Sequence, residues 1–148
     1  MKRSECFTLI AEEDDFQIDG FRILRNESIV AIASDKVTEF ATKVTSRIGL
    51  DERGQAIMDF PLDSYKSVFE GITRLGGWVS IYGESDNVIS LGRISSVGLH
   101  SVSLRYVSAF GEYGDFEEVA YADILSLAFG DNYLRVLEEW LCGREKEG

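Results

Sequence analysis

The sequence contains little of what most catalytic and metal-binding sites require. Among its 148 residues there are one histidine, His100, and two cysteines, Cys6 and Cys142, near opposite ends of the chain. A Ser-His-Asp or Cys-His arrangement would depend on that single base, which lies in a predicted hairpin turn. A zinc site would need ligands without the usual short spacings. We therefore predict no catalytic residues, no metal and no cofactor.

Long hydrophobic runs and clusters of basic residues are also missing. No segment approaches the roughly 18 apolar residues of a membrane-spanning helix, and acidic residues interrupt the N-terminal segment before it resembles a signal peptide. The 26 acidic and 15 basic residues give a net charge of -11. Such a charge disfavours nucleic acid and anionic membranes, and it attracts basic partners. We expect a cytoplasmic protein that contacts no membrane.

The chain does contain enough apolar material for a core, because 45% of its residues are hydrophobic and 11% are aromatic. Alternating hydrophobicity predicts strands in the second half, separated by turns at 98–101 and 111–115. Helical spacing predicts three helices, over 37–48, over 65–75 and from Asn132 onward. On the last of these we expect one apolar face made of Tyr133, Val136, Leu137, Trp140 and Leu141.

These elements predict a mainly β fold with helices, of the α+β class. Short strands joined by glycine turns favour a small closed barrel, since closure removes exposed strand edges. We expect an N-terminal half at 1–60 and a C-terminal half at 61–148, or alternatively one compact domain. The segments from Gly20 to Asp35 and from Asp115 to Asp131 are weakly similar. They indicate either two related barrel-like halves, each followed by a helix, or a coincidence.

Several short segments resemble a group of uncharacterised bacterial proteins that carry a small β-barrel of the Sm-like or Src-homology-3-like type. They are Asp19–Phe21, Leu91–Ile94, Val102–Leu104, Tyr121–Ile124 and Phe129–Tyr133. These segments supply turn glycines and buried aliphatic residues, so the resemblance implies a fold and no particular activity. Sm-like barrels suggest RNA binding, but the glycine-flanked basic motif of the last barrel strand is replaced here by Ala122-Asp123-Ile124.

Two acidic clusters, each beside an aromatic residue, are the candidate binding feature. Each precedes one of the two similar segments, so related halves would place both clusters at equivalent positions and form one negative surface. The alternative is two solvated hairpin turns. The predicted partner-binding residues are Glu12, Glu13, Asp14, Asp15, Phe16, Glu112, Tyr113, Asp115, Glu117 and Glu118.

The leading functional hypothesis is a non-enzymatic protein-binding module, for example an immunity-type or regulatory antagonist that masks a basic partner. The alternatives are a nucleic-acid-associated Sm-like barrel and an enzyme with a carboxylate site in a pocket. Self-association through a barrel edge or the Trp140 helix face is a further possibility. Among the aromatic residues, we expect Phe110 and Tyr113 at the surface, and Trp78, Tyr82, Tyr106 and Phe116 in the core.

Overall fold

The computed structural model describes residues 1–14, 17–29, 36, 39, 59–84 and 87–147. Within these residues the chain forms an 8-stranded antiparallel sheet in the order β1-β2-β3-β8-β4-β5-β6-β7. The strands are β1 (Lys2–Arg3), β2 (Phe7–Asp14), β3 (Gln17–Arg25), β4 (Trp78–Tyr82), β5 (Val88–Val97), β6 (Ser101–Val107), β7 (Tyr113–Ala120) and β8 (Ser126–Phe129). Two helices accompany the sheet, α1 (Tyr65–Arg74) and α2 (Asn132–Glu147).

Strand β8 joins the two parts of the sheet. It pairs with β3, where Phe129 lies opposite Phe21, and with β4, where Leu127 lies opposite Ile81. Strands from both predicted halves therefore belong to one sheet. In the described part of the chain β1 and β7 end the sheet without pairing to each other, so the sheet is open. The mainly β fold with helices is confirmed, whereas the closed barrel and the two related halves are not.

Helix α1 forms where its capping residues predict it. The side chain of Ser64 accepts a hydrogen bond from the Ser67 amide, and the Ser67 hydroxyl accepts one from the Ser64 amide, which makes a capping box. Gly76 and Gly77 follow the helix with φ values of +114° and +85°, a backbone conformation that favours glycine. The helix predicted over 65–75 is therefore confirmed, with its last helical residue at Arg74.

The main core lies between α1 and one face of the sheet. Tyr65, Phe69 and Tyr121 stack there, with the ring centroid of Tyr121 5.3 Å from Tyr65 and 5.7 Å from Phe69. The Tyr65 hydroxyl donates to the Ile124 carbonyl at 2.6 Å, and the Tyr121 hydroxyl donates to the Gly98 carbonyl at 2.6 Å. Burial raises the pKa of Tyr65, and it raises the pKa of Tyr121 to about 12. Both phenols therefore remain neutral donors at physiological pH.

Helix α2 covers the opposite face of the sheet, and its buried side differs from the predicted one. Leu134, Leu137 and Leu141 pack against Trp78 and Val107. These three leucines are three and four residues apart, so they form a single line of buried side chains along the helix. The prediction that Tyr133, Val136 and Trp140 share the buried side is wrong, because all three side chains are exposed beside that line.

The acidic segments also differ from prediction in their local structure. Glu12, Glu13 and Asp14 belong to β2, because its pairing with β3 continues as far as Asp14 opposite Gln17. Asp115, Glu117 and Glu118 belong to β7 and lie in no turn. The predicted helix over 37–48 lies outside the described residues except for Glu39, which is helical. No helix in the described part of the chain is long and apolar enough to cross a membrane.

Candidate protein-binding surface

The two predicted acidic clusters lie at opposite ends of the sheet. Neighbouring strands are antiparallel throughout, so β3, β4 and β6 run in the same direction. The β2–β3 hairpin closes where β3 begins, whereas the β6–β7 hairpin closes where β6 ends. Strands β8, β4 and β5 also lie between the two hairpins in the sheet order. The structure therefore does not bring the two clusters into one negative surface.

At the β2–β3 hairpin the described acidic side chains bind other parts of the protein. The Glu12 carboxylate accepts a hydrogen bond from Arg22 Nε at 2.6 Å, and the Arg22 guanidinium lies 4.8 Å from the centroid of the Tyr82 ring. The Asp19 carboxylate accepts the Asn132 amide at 2.8 Å, at the start of α2. The side chains of Glu13 and Asp14, together with Asp15 and Phe16, lie outside the described residues.

Gly20 lets this hairpin approach the start of α2 closely. Its φ is +94°, and a Cβ atom placed on it would lie 2.8 Å from Asp131 Cβ. The Asp131 carboxylate accepts the Leu134 amide at 2.8 Å and so caps the helix. Burial raises the pKa of Asp131, and the nearby charges of Asp19 and Glu12 raise it further. The carboxylates at this end of the sheet therefore hold the hairpin and the helix together.

The β6–β7 hairpin is a tight turn tied to the second half of α2. The Ser108 amide donates to the Glu112 carbonyl at 2.9 Å, and Gly111 has a φ of +70°. Trp140 Nε1 donates to the Gly111 carbonyl at 3.2 Å. The Phe110 side chain is 88% exposed and the Trp140 side chain is 54% exposed. An exposed tryptophan is thus held beside an exposed phenylalanine.

Strand β7 adds two aromatic rings that contact an arginine. The guanidinium of Arg105 lies 4.0 Å from the centroid of the Tyr113 ring and 5.9 Å from that of Phe116, within the range of cation–π interactions. The Phe116 side chain is 68% exposed, so the prediction that it belongs to the core is wrong. We use the term aromatic surface for the set Arg105, Phe110, Tyr113, Phe116 and Trp140.

Acidic residues surround this aromatic surface, and they differ in exposure and in their hydrogen-bond partners. Glu112 and Asp115 are exposed. Glu118 is exposed and accepts the Ser101 hydroxyl at 2.8 Å. Glu117 accepts the hydroxyl of the buried Ser90 at 2.8 Å, so this carboxylate takes part in the packing of the sheet. The structure therefore groups Glu112, Tyr113, Asp115 and Glu118 with the exposed aromatic residues.

Sequence reasoning missed Arg105, Phe116 and Trp140 as surface residues. In period-two alternation Phe116 shares a face of β7 with the exposed Glu118, and that pattern could have placed it outside the core. Trp140 is three residues after the buried Leu137 and one before the buried Leu141, so helical spacing assigned it wrongly to the buried side of α2. Nothing in the sequence near Arg105 indicates that it contacts Tyr113, because the contact depends on strand register.

The remaining candidate chemical groups are widely separated. Within the described residues no group of three His, Cys, Asp or Glu side chains is arranged to hold a metal ion. Cys6 is exposed, Cys142 is half-buried, and both are free thiols. His100 lies in the β5–β6 turn, where its backbone carbonyl accepts the Tyr121 amide at 3.0 Å. This backbone bond of His100 extends the pairing of β6 with β7 by one residue.

Comparison with known proteins adds no relative. The chain matches no protein-family model, no curated protein and no solved structure. The resemblance to Sm-like and Src-homology-3-like barrels consequently stays a prediction.

Proposed function

We propose that this protein is a non-enzymatic protein-binding module that recognises a basic region of another protein through its β6–β7 hairpin and the adjoining part of α2. The observation that carries this proposal is the exposure of Phe110, Phe116 and Trp140 beside the exposed carboxylates of Glu112 and Asp115. Grouped aromatic side chains on a surface are typical of interaction sites.

The two kinds of side chain have different roles in this binding mode. Aromatic residues provide much of the binding energy at protein interfaces, because they bury a large area with few rotatable bonds. Surrounding carboxylates speed the approach of a basic partner, and they disfavour acidic competitors. The net charge of -11 extends the same attraction over a longer range. An immunity-type or regulatory antagonist that masks a basic partner is the concrete form of this function.

The test is capture of partners by the tagged protein from its native cell extract, followed by mass spectrometry and by affinity measurement with the purified partner. The variants Phe110→Ala/Phe116→Ala and Glu112→Lys/Asp115→Lys remove the aromatic and acidic contributions. Matched controls are Leu99→Ala, an exposed apolar residue in the β5–β6 turn, and Glu5→Lys, an exposed acid in the β1–β2 connection.

We expect one basic protein to bind the parent and both controls with similar affinity. Each of the two double variants should weaken this binding by about tenfold or more, since interface aromatic residues each contribute about 1–2 kcal/mol or more. Higher salt should weaken binding through the acidic residues. Equal affinity of the parent and both double variants would exclude this surface as the binding site.

A further inference from the structure

Strand β7 has an open side. It is the last strand in the sheet order, and no other strand in the described part of the chain pairs with its outer edge. The strand is 8 residues long, whereas β1 at the opposite edge has only 2. Proteins usually keep edge strands short or cover them, because unpaired backbone groups readily bind another strand. The long open edge of β7 is therefore a feature that needs an explanation.

The register shows which backbone groups of β7 face outward. The Tyr121 amide donates to the His100 carbonyl, so the backbone of Tyr121 faces β6. From there the register continues without a shift, with Val119 opposite Val102 and Glu117 opposite Leu104. In an antiparallel pair the backbone groups of successive residues point alternately toward and away from the partner strand. Val119 and Glu117 therefore bond to β6, and the amides and carbonyls of the residues between and beside them face outward. These outward-facing residues are Phe116, Glu118 and Ala120.

The side chains of β7 favour one kind of occupant for this edge. If two β7 strands paired, the exposed Asp115 and Glu118 would lie close to acidic residues of the second copy, and like charges on neighbouring strands repel. An incoming segment with lysine or arginine would instead form cross-strand ion pairs. The exposed ring of Phe116 offers a contact for an apolar side chain on the added strand.

We propose that β7 binds its partner by strand addition, in which an extended basic segment becomes the next strand of the sheet. This inference rests on the proposed function and specifies how the partner is recognised. The outward backbone groups of Phe116, Glu118 and Ala120 provide the ladder of hydrogen bonds, and the carboxylates of β7 select basic side chains. Phe110 and Trp140 lie at the hairpin end of the same strand and extend the contact beyond the ladder.

Amide hydrogen exchange, measured residue by residue by nuclear magnetic resonance, tests this proposal without a known partner. In the free protein the amides of Phe116, Glu118 and Ala120 should exchange faster than those of Glu117 and Val119, which bond to β6. The probe is a capped eight-residue peptide of alternating lysine and valine. At saturating peptide we expect exchange at the three outward amides to slow by about tenfold or more, since each gains a backbone hydrogen bond.

Two control peptides separate the charge from the ladder. Replacing each lysine by glutamate should abolish the protection through repulsion by β7. Methylating every backbone nitrogen of the lysine–valine peptide keeps its charge but removes the donors on both edges of the strand, so protection should again be lost. Equal protection of the outward amides by the N-methylated and unmodified peptides would overturn the proposal.

A pair of variants of the protein tests the same hydrogen bonds by changing β7 instead of the peptide. Glu118→Pro removes the outward amide, and proline is tolerated on edge strands. Glu118→Ala removes only the side chain. We expect peptide affinity to fall about tenfold more in the proline variant than in the alanine variant. If the proline variant fails to fold, the comparison of the N-methylated and unmodified peptides still tests the ladder of hydrogen bonds.

Two results would contradict strand addition. Slow exchange at Phe116, Glu118 and Ala120 in the free protein would show that the edge is already covered. Peptide-induced changes confined to other strands would place the site elsewhere. If a natural partner is captured in a Phe110- and Phe116-dependent manner while the β7 amides remain unprotected in the complex, the proposed function stands and strand addition fails.

Discussion

The two acidic hairpins share a sequence signal but have different structural roles. At the β2–β3 hairpin Glu12 binds Arg22 and Asp19 binds the first amide of α2, so these carboxylates hold elements of the fold together. At the β6–β7 hairpin Glu112 and Asp115 are exposed around aromatic side chains. The difference comes from the neighbouring elements. At the first hairpin Arg22 pairs with Glu12 and the start of α2 donates to Asp19, whereas Arg105 at the second hairpin lies against the rings of Tyr113 and Phe116. A run of acids alone therefore does not identify an interface.

The largest effect should come from Gly20→Ala at the first hairpin. The added methyl group would meet the backbone of Asp131 at 2.9 Å, and the positive φ is unfavourable for alanine. We expect the free energy of unfolding to fall by about 3 kcal/mol, from overpacking and backbone strain together. Urea denaturation measures this. Gly143→Ala is the matched control, because nothing lies within 4 Å of its Cβ position and alanine favours the helix.

The second effect concerns the ion pair between Arg22 and Glu12 at the first hairpin. Arg22→Met should lower the free energy of unfolding by about 1–2 kcal/mol, because it leaves Glu12 without its cation near Asp19 and Asp131. Lys66→Met is the control, since its ion pair with Glu70 is exposed and 3.8 Å long and should contribute less than about 0.5 kcal/mol. Equal losses in the two variants would mean that the Arg22 pair does not anchor the hairpin.

A smaller effect depends on pH. The pKa of Asp131 is raised in the folded protein, so the contribution of this group to stability is greatest below its unfolded pKa and is lost as pH rises through the folded pKa. Asp131→Asn keeps a capping side chain and removes the buried charge. We expect the variant to be more stable than the parent at pH 7, and the difference should shrink toward pH 4. Thermal unfolding across this range checks both statements. A difference that is independent of pH would contradict them.

The smallest effect should be at the second hairpin. Glu112→Gln combined with Asp115→Asn removes two exposed charges that form no ion pair within the described part of the chain, so we expect the free energy of unfolding to change by less than about 0.5 kcal/mol. Binding of a basic partner should nevertheless weaken. A stability loss comparable to that of Arg22→Met would show that the two hairpins do not differ in the way proposed here.

Local signals predicted much of the fold. The Ser64 cap, the apolar spacing of α1 and the Gly76–Gly77 end are all encoded within a short segment, as is the alternation of β6. The position of β8 between β3 and β4 has no local signal, because it depends on pairing Phe21 with the distant Phe129.

The candidate site was predictable only in part, for the same reason. Phe110 and Tyr113 flank a glycine turn, which indicated that they lie at the surface. The alternation along β7 could have placed Phe116 on the exposed face together with Glu118. The exposure of Trp140 depends on which side of α2 packs against Trp78, and a single sequence does not reveal that packing.

The central place of β8 has a consequence for how the chain folds. During synthesis the β2–β3 hairpin and the β4–β7 meander can each form early, because their strands are neighbours in sequence. They can join only after residues 126–129 have emerged and inserted between β3 and β4. Contacts of such large sequence separation slow folding and leave strand edges exposed meanwhile. The facing edges of β3 and β4 therefore stay unpaired, and open to association with other chains, until β8 is in place.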